Sequence, residues 1–322
     1  MNPDVKLILH KAISCMGVII PDIWLKQLQD RIIYDPVIKR KKLGADPIPL
    51  FETVLFELRS RCNNTCSFCP ANINYDERDD IVMPFELFNK AVLQLNELGF
   101  AGRVCFYINN EPLIVPNIAE YVSIAVKNLP KARKFQILTN GLALSRDIGE
   151  KLLKSGVNSV IINWYHEDLE SPLPQRILDF QAMAQEFNKN GKNRVTVQVD
   201  RRRINDILTN RANFAPNKKG INNHSHKGGF CTYPFTHLCI NPEGKVMLCC
   251  MDVYYRNVIG SISTDKIVDI WYGREFQQIR QHLLNGDREP LLLCNKCDHI
   301  GVQPGHMKTV AKKIIRELSG CS

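Results

Sequence analysis

The chain has 322 residues, of which 44% are hydrophobic, and a formal net charge of +9 at pH 7. This composition supports a folded core and excludes a disordered or collagen-like chain, while the positive charge leaves nucleic acid, an acidic partner or an anionic substrate open. No run approaches the roughly 18 apolar residues of a membrane span and no cleavable signal is recognised, so we expect a cytoplasmic protein without a membrane partner.

Predicted strands and helices alternate from residue 51 onward, after an N-terminal segment that predicts one or two helices and a basic linker. Val- and Ile-rich strands are predicted at 54–60, 103–108, 134–139, 159–164 and 194–200. A predicted helix separates each strand from the next, which indicates right-handed βαβ units, a parallel sheet and an α/β fold. Five such strands make an open sheet or a partial barrel rather than a closed one.

A polar stretch rich in Gly and Asn, from about residue 205 to residue 229, marks a domain boundary. Beyond it, the sequence HLCINPEGKVMLCC predicts a β-hairpin that turns at Pro-Glu-Gly. We therefore expect four parts: an N-terminal helical extension with a basic linker (1–50), an α/β domain (51–215), a small cysteine-rich domain (216–305) and a basic C-terminal helix (306–322).

The 12 cysteines are too sparse for a secreted disulfide scaffold, and their clustering in a reducing compartment predicts metal binding. Cys62, Cys66 and Cys69 lie within one short loop after the first predicted strand, and the next cysteine along the chain is Cys105. No further Cys or His follows closely enough to complete a tetrahedral zinc site. A cluster with three cysteine ligands leaves one iron open to a non-protein ligand. Zinc or unrelated thiols are the alternatives.

This CxxxCxxC loop after a first strand resembles the radical S-adenosylmethionine (SAM) superfamily. The resemblance implies a partial (β/α)6 barrel, and a [4Fe-4S] cluster whose open iron chelates the amino and carboxylate groups of SAM. It also implies reductive cleavage of SAM to a 5′-deoxyadenosyl radical that abstracts hydrogen from a C–H bond. The electron would come from an external one-electron donor such as flavodoxin or ferredoxin.

Two later motifs support the resemblance. The sequence FYINNEPLI stands where the family usually has GGEP, so Asn109 and Asn110 replace both glycines, a mild change because Asn tolerates positive φ. The second motif is TNG in ILTNGLAL, at the end of the third predicted strand, and an ordinary turn is the alternative interpretation of it. The resemblance implies a set of SAM contacts, namely Asn109, Asn110, Glu111 near the methionine ammonium, Thr139 and Asn140 near the ribose, and Phe68 near the adenine.

The C-terminal cysteines form a second group, which resembles the SPASM/twitch auxiliary-cluster domain. Gly244 and Cys249 match its GxxxxC element, and LCNKC supplies its CxxC. Full SPASM domains carry further cysteines for a second auxiliary cluster, whereas only Cys321 follows here, so we expect the shorter twitch form with one [4Fe-4S] cluster. The implied ligands are Cys231, Cys249, Cys294 and Cys297. A rubredoxin-like or zinc-ribbon site is the alternative.

The remaining cysteines carry weaker signals. Cys15, Cys105 and Cys239 are predicted to be small buried hydrophobic residues. Cys250 either packs beside the auxiliary cluster or faces the substrate, where it is a candidate hydrogen donor. In an extended strand its side chain would point away from that of Cys249.

Two polar groups are candidates for substrate contacts. His224 and His226 lie in a Gly-rich segment that predicts a mobile loop. The run Arg201–Arg203 follows the fifth predicted strand, where an arginine could bind a phosphate or carboxylate or act near the reacting carbon.

The resemblance implies a radical SAM oxidoreductase acting on a small polar substrate, similar to enzymes that dehydrogenate aminocyclitols or epimerise amino sugars. Dehydrogenation needs the auxiliary cluster to accept an electron, whereas epimerisation needs a hydrogen donor on the opposite face. A ribosomal-peptide maturase with a separate leader-binding partner is the alternative. We predict no nucleic-acid partner.

Overall fold

The structure is a computed structural model that describes residues 35–191, 194–219 and 229–299. Some of the predicted features lie outside these residues: Cys15, the helices expected before residue 35, His224, His226, Cys321 and the C-terminal helix expected at 306–322.

The described elements follow the predicted alternation. In chain order the strands are β1 (Thr53–Phe56), β2 (Arg103–Cys105), β3 (Lys134–Thr139), β4 (Ser159–His166), β5 (Thr196–Arg203), β6 (His237–Ile240), β7 (Lys245–Met247) and β8 (Val258–Ser261). The helices are α1 (Asp35–Lys41), α2 (Phe85–Glu97), α3 (Ile118–Asn128), α4 (Arg146–Lys154), α5 (Gln175–Asn190), α6 (Tyr233–Thr236), α7 (Ile267–Trp271) and α8 (Arg274–Leu284). Short 3-10 helices span Pro112–Ile114 and Pro216–Lys218.

One sheet of eight strands runs through both predicted domains in the order β5-β4-β3-β2-β1-β6-β7-β8. The five expected strands β1 to β5 are parallel, as predicted. The next parallel strand, β6, comes from the cysteine-rich segment and pairs on the other side of β1, and β7 and β8 then continue antiparallel. The small domain therefore extends the sheet of the larger one.

Side chains alternate between the two faces of the sheet. Val54 and Val104 lie in the main core with the helices, and α2 contributes a buried stripe at helical spacing, namely Phe88, Ala91, Val92 and Leu95. On the other face, Leu55 pairs with Cys105 on β2 and with Cys239 on β6. These three side chains form a separate buried cluster with Met247, which we call the inner-face cluster. The inner face of the sheet is therefore lined by thiols at its centre.

The predicted hairpin forms between β6 and β7. Its turn ends at Gly244, whose φ of 77° favours glycine, and a Cβ there would meet side-chain atoms of Ile262 and Leu87 at 2.9 Å. The turn is thus fixed by both backbone conformation and packing. It places Cys249 and Cys250 two and three residues beyond the end of β7.

Candidate active site

The first cysteine group lies in the loop that follows β1. Cys66 is buried, while Cys62 and Cys69 are half-buried. The loop is closed by the Cys69 N–H, which donates to the Cys66 carbonyl at 3.1 Å, and by the Asn72 side chain, which donates to the same carbonyl at 3.1 Å. Burial raises the pKa of Cys62 and of Cys66 to about 12, and the neighbouring thiols add to both shifts. Thiolates here therefore need a compensating cation.

Glu111 braces the strand ends beside this loop. Its carboxylate is 1% exposed and accepts hydrogen bonds from the Asn140 N–H at 2.7 Å, from the Leu113 N–H at 2.9 Å and from the Thr139 hydroxyl. Burial raises the pKa of Glu111 to about 7, although these hydrogen bonds oppose the shift. A carboxylate has about four acceptor sites, so one is left for the methionine ammonium that the sequence predicts there.

The two asparagines of the NNEP turn have different surroundings. Neither asparagine has a positive φ, so tolerance of that backbone conformation does not explain why Asn replaces Gly here. The Asn109 amide is 3% exposed and bonds to Cys250 and to Arg211. The Asn110 Oδ1 accepts the Ile108 N–H at 3.0 Å, whereas its Nδ2 is buried without a hydrogen-bond partner. That orphaned donor is free for a polar ligand.

Asn140 reaches from the end of β3 to the cysteine loop. Its Nδ2 donates to Asn63 Oδ1 at 2.8 Å and lies 3.8 Å from the Cys62 sulfur, and its Oδ1 accepts the Leu142 N–H at 2.8 Å. Thr139, in contrast, is 1% exposed and is occupied by Glu111 and the Gly141 N–H. The structure therefore brings Asn140 to the cysteine loop and gives Thr139 a supporting position.

Phe68 lies against Tyr165 near the end of β4, with ring centroids 5.7 Å apart, and is 3% exposed. The segment after β5 covers this side of the loop, because the Ser67 N–H donates to the Ile204 carbonyl at 3.2 Å. Asn217 donates to the Ser67 hydroxyl at 3.1 Å, and its own Oδ1 is buried without a partner. An unpaired acceptor and an aromatic pair together fit a heteroaromatic ring that carries an amino group.

The second cysteine group comes from three segments, with Cys231 just before α6, Cys249 after the hairpin, and Cys294 and Cys297 in the C-terminal CxxC. Burial raises the pKa of Cys294 to about 12 and that of Cys297 to about 11, and in both cases Cys231 is close enough to add to the shift. Burial also raises the pKa of Cys249, with contributions from Cys294 and Cys231. Electrostatic interactions therefore link Cys231 with Cys249, Cys294 and Cys297.

A buried arginine that the sequence analysis missed joins the segment of Cys231 to that of Cys297. Arg288 is 4% exposed and donates to the carbonyls of Phe230 at 3.0 Å, His299 at 3.1 Å and Cys297 at 3.4 Å. Its charge lowers the pKa of Cys231, in opposition to burial. The guanidinium thus stabilises thiolates as well as the loop that carries them.

Cys250 does not lie in an extended strand, so that expectation was wrong. β7 ends at Met247, and the Cys249 carbonyl closes a turn by accepting the Asp252 N–H at 3.2 Å. Cys250 nevertheless packs against the inner-face cluster, which includes Cys239, whereas Cys249 belongs to the main core. The two neighbouring thiols therefore have different surroundings. Cys105 and Cys239 are fully buried, as predicted.

The three consecutive arginines are exposed. Arg201 donates to the Leu169 carbonyl at 2.8 Å and to Ser171, which holds the loop after β4. Arg202 donates to the buried Asn163 at 3.0 Å. A fourth arginine, Arg211, which no local pattern singled out, reaches the centre of the site, where it donates to Asn109 at 2.9 Å.

Arg78 is a second buried arginine that sequence reasoning missed. Its side chain is 4% exposed and pairs with Glu57 at 2.7 Å and with Asp76 at 2.9 Å. It also donates to the Asn109 carbonyl at 2.8 Å and to the Tyr255 hydroxyl at 3.1 Å. A single guanidinium therefore joins the end of β1, the cysteine loop, the NNEP turn and the small domain.

Within residues 35–191, 194–219 and 229–299, no helix is long and apolar enough to cross a membrane. Over the same ranges, no group of three His, Cys, Asp or Glu side chains is arranged around a single metal ion.

Two protein families match the segments of the chain that contain the two cysteine groups. Residues 57–181 match the radical SAM superfamily, and residues 231–298 match the SPASM iron–sulfur cluster-binding domain. The chain is 28% identical over 254 residues to the S-adenosyl-L-methionine-dependent 2-deoxy-scyllo-inosamine dehydrogenase of Niallia circulans, a match that covers 79% of this chain and 95% of that protein.

Two solved structures share the fold of this chain. BtrN in complex with AdoMet and 2-DOIA matches with a TM-score of 0.64 and 26% identity, over 79% of this chain and 96% of that one. Streptococcus suis SuiB bound to its precursor peptide SuiA shares the fold at 15% identity and a TM-score of 0.52, over 76% of this chain and 69% of that one. The chain therefore contains a radical SAM domain and a C-terminal SPASM domain, which imply iron–sulfur clusters, and its structural relative BtrN binds AdoMet.

Proposed function

We propose that this protein cleaves SAM reductively and abstracts hydrogen from a C–H bond of an aminocyclitol or amino sugar. The observation that carries the proposal is the match to 2-deoxy-scyllo-inosamine dehydrogenase, because it covers 79% of this chain and 95% of that protein. The reaction would be a dehydrogenation or an epimerisation. A flavodoxin or ferredoxin would supply the electron.

The residues at the first site fit the cofactors. Cys62, Cys66 and Cys69 would hold a [4Fe-4S] cluster, and the orphaned Nδ2 of Asn110 would donate to the carboxylate of SAM. Glu111 has one acceptor site left for the methionine ammonium.

The rest of the SAM would lie along the ends of β3 and β4. Phe68 and Tyr165 would pack against the adenine, and Asn140 would contact the ribose. Asn217 Oδ1 would accept the adenine amino group. When bound, SAM and the clusters would supply a 5′-deoxyadenosyl radical and an acceptor for one electron.

The second site fits one auxiliary [4Fe-4S] cluster, with Cys231, Cys249, Cys294 and Cys297 as ligands and Arg288 as a neighbouring cation. The guanidinium offsets negative charge on the thiolates in a place where burial disfavours it. The small domain would thereby hold an electron acceptor on the same sheet as the SAM site.

Cys250 would act in the epimerisation alternative. Its thiol lies beside the inner-face cluster at the centre of the sheet, in different surroundings from Cys249. It could give its hydrogen atom to a substrate carbon radical, and an external one-electron donor with a proton would restore the thiol. In a dehydrogenation Cys250 would have no such role.

The test is substrate-stimulated formation of 5′-deoxyadenosine by anaerobically reconstituted protein with dithionite. We expect 2-deoxy-scyllo-inosamine or related amino sugars to raise the rate at least about tenfold above SAM alone, as expected when bound substrate completes the reacting geometry. Short peptides serve as the matched comparison. Stimulation by a peptide and by none of the aminocyclitols would overturn the proposal in favour of a peptide maturase.

A further inference from the structure

Asn109 forms a link that a glycine in its place could not make. Its Nδ2 donates to the Cys250 carbonyl at 3.0 Å, and its Oδ1 accepts from the Arg211 guanidinium at 2.9 Å. The side chain is 3% exposed, so both bonds are shielded from water. The amide therefore connects the NNEP turn to residues that lie 102 and 141 positions further along the chain.

Arg211 is firmly held at its end of this link. Arg211, Ala212 and Asn213 have φ values of 46°, 54° and 74°, a run of left-handed conformations that Arg and Ala rarely adopt. Such strain persists only where the surroundings impose it. The preceding Asn210 is fixed by its N–H, which donates to Asp298 at 2.7 Å, and by its amide, which donates to Lys296 at 2.7 Å. Arg211 is thus anchored to the loop of the C-terminal CxxC.

At the other end, the bond from Asn109 orients the backbone of Cys250. The accepting carbonyl is bonded to the Cα that carries the thiol side chain, so the bond restrains the backbone next to the thiol. The two residues that follow Asn109 in the chain are the proposed SAM contacts Asn110 and Glu111. The Asn109 side chain therefore links the proposed cofactor-binding turn to the backbone of Cys250 in the other domain.

We propose that Asn109 is a positioning residue that couples the SAM-binding turn to the Cys250 thiol. Occupancy of the turn would be transmitted through the Asn109 amide, and the reactivity of Cys250 would change when SAM binds. The inference rests on the proposed binding of SAM at this turn, and it holds whether or not Cys250 donates hydrogen.

The test measures alkylation of Cys250 by iodoacetamide in the anaerobic holoenzyme, with and without SAM, by mass spectrometry of the Cys250 peptide. In the wild type we expect saturating SAM to change the labelling rate about threefold or more, the scale of one hydrogen bond. Asn109→Asp keeps the acceptor for Arg211 but removes the donor to Cys250, so we expect SAM to have no effect on labelling. Asn109→Gly, the residue usual in the family, should behave in the same way.

Asn158→Asp is the matched control. The Asn158 amide also makes one hydrogen bond through each of its two polar atoms, accepting the Phe135 N–H at 2.9 Å and donating to the Arg133 carbonyl at 3.3 Å, but it lies at the opposite end of the strands. This variant should keep the SAM effect. The coupling would be overturned if SAM changed the labelling rate equally in the wild type and in both Asn109 variants. It would also be overturned if SAM left the labelling rate of the wild type unchanged although the wild type cleaves SAM. Failure of the same preparation to cleave SAM with dithionite would instead refute the proposed function and, with it, the coupling.

Discussion

The Glu111 carboxylate accepts the backbone N–H of Asn140 at 2.7 Å and so ties the turn after β2 to the end of β3. The other carboxylate oxygen accepts the Leu113 N–H at 2.9 Å. The two strand ends that form the proposed SAM site are therefore held by one buried side chain.

Replacing Glu111 by Gln should destabilise the fold. Whichever way the amide is turned, its NH2 group faces either the Asn140 N–H or the Leu113 N–H, so one buried donor loses its partner. We expect the free energy of unfolding at pH 8 to fall by about 1–3 kcal/mol in anaerobic urea titrations. Glu150→Gln, which breaks an exposed ion pair with Arg146, should change it by less than about 1 kcal/mol. Equal stability of the wild type and Glu111→Gln would exclude the bracing role.

Simultaneous replacement of Cys62, Cys66 and Cys69 by Ala should remove about half of the bound iron, because two four-iron clusters have separate ligand sets. All formation of 5′-deoxyadenosine with dithionite should disappear with it. Iron content by colorimetric assay and nucleoside by chromatography provide the two measurements. Continued SAM cleavage by this triple variant would contradict the assignment.

Cys294→Ala provides the complementary case. It should damage the auxiliary cluster while the first site still cleaves SAM, so SAM consumption becomes uncoupled from product. Cys239→Ala removes a thiol from the same domain that is not a predicted ligand, and it should keep its full iron content. One equivalent of zinc with about four irons per chain would favour the zinc-ribbon alternative for the second site.

Much of this site could be predicted from the sequence because its motifs are local. The spacing of Cys62, Cys66 and Cys69 fits one loop, and strand and helix periodicity placed that loop at the end of β1. The pairing of β6 with β1 could not be predicted, since nothing in the local pattern indicates which strand edge a segment far along the chain will join.

The arginines show the same limit of prediction from local sequence patterns. Arg201–Arg203 stand out in the sequence because they are adjacent, yet all three are exposed in the structure. Arg78, Arg211 and Arg288 look like ordinary surface charges when read singly. Their roles depend on partners such as Glu57, which lies 21 residues from Arg78 and meets it only through the fold.

His237 predicts a loss of stability in acid. Burial lowers the pKa of this histidine to about 3, and the nearby charges of Arg103 and Lys41 add to the shift. Because the folded pKa lies below the ordinary value, His237 contributes stability that is present above about pH 6.5 and is lost as the pH falls towards 3. Between pH 6.5 and pH 5.5 the loss should be about 1 kcal/mol.

The measurement is anaerobic urea unfolding at pH 7.5, 6.5 and 5.5. His237→Gln should lose the part of the acid slope that comes from His237, whatever its effect on absolute stability. His282→Gln removes a more exposed histidine and should leave that part of the slope in place. An identical slope in the wild type and His237→Gln would show that the buried ring does not control this acid loss.

Cys250→Ala distinguishes the two proposed reactions. If the enzyme epimerises its substrate, the variant should keep its iron and its substrate-dependent 5′-deoxyadenosine but form no inverted product, because the substrate radical then lacks a hydrogen donor. In deuterated water the wild type should place one deuterium on the inverted carbon, since a thiol hydrogen exchanges with solvent. Cys239→Ala, in the same inner-face cluster, should still invert. Unaltered inversion by Cys250→Ala would exclude the donor role, and a two-electron-oxidised product without solvent deuterium would identify dehydrogenation.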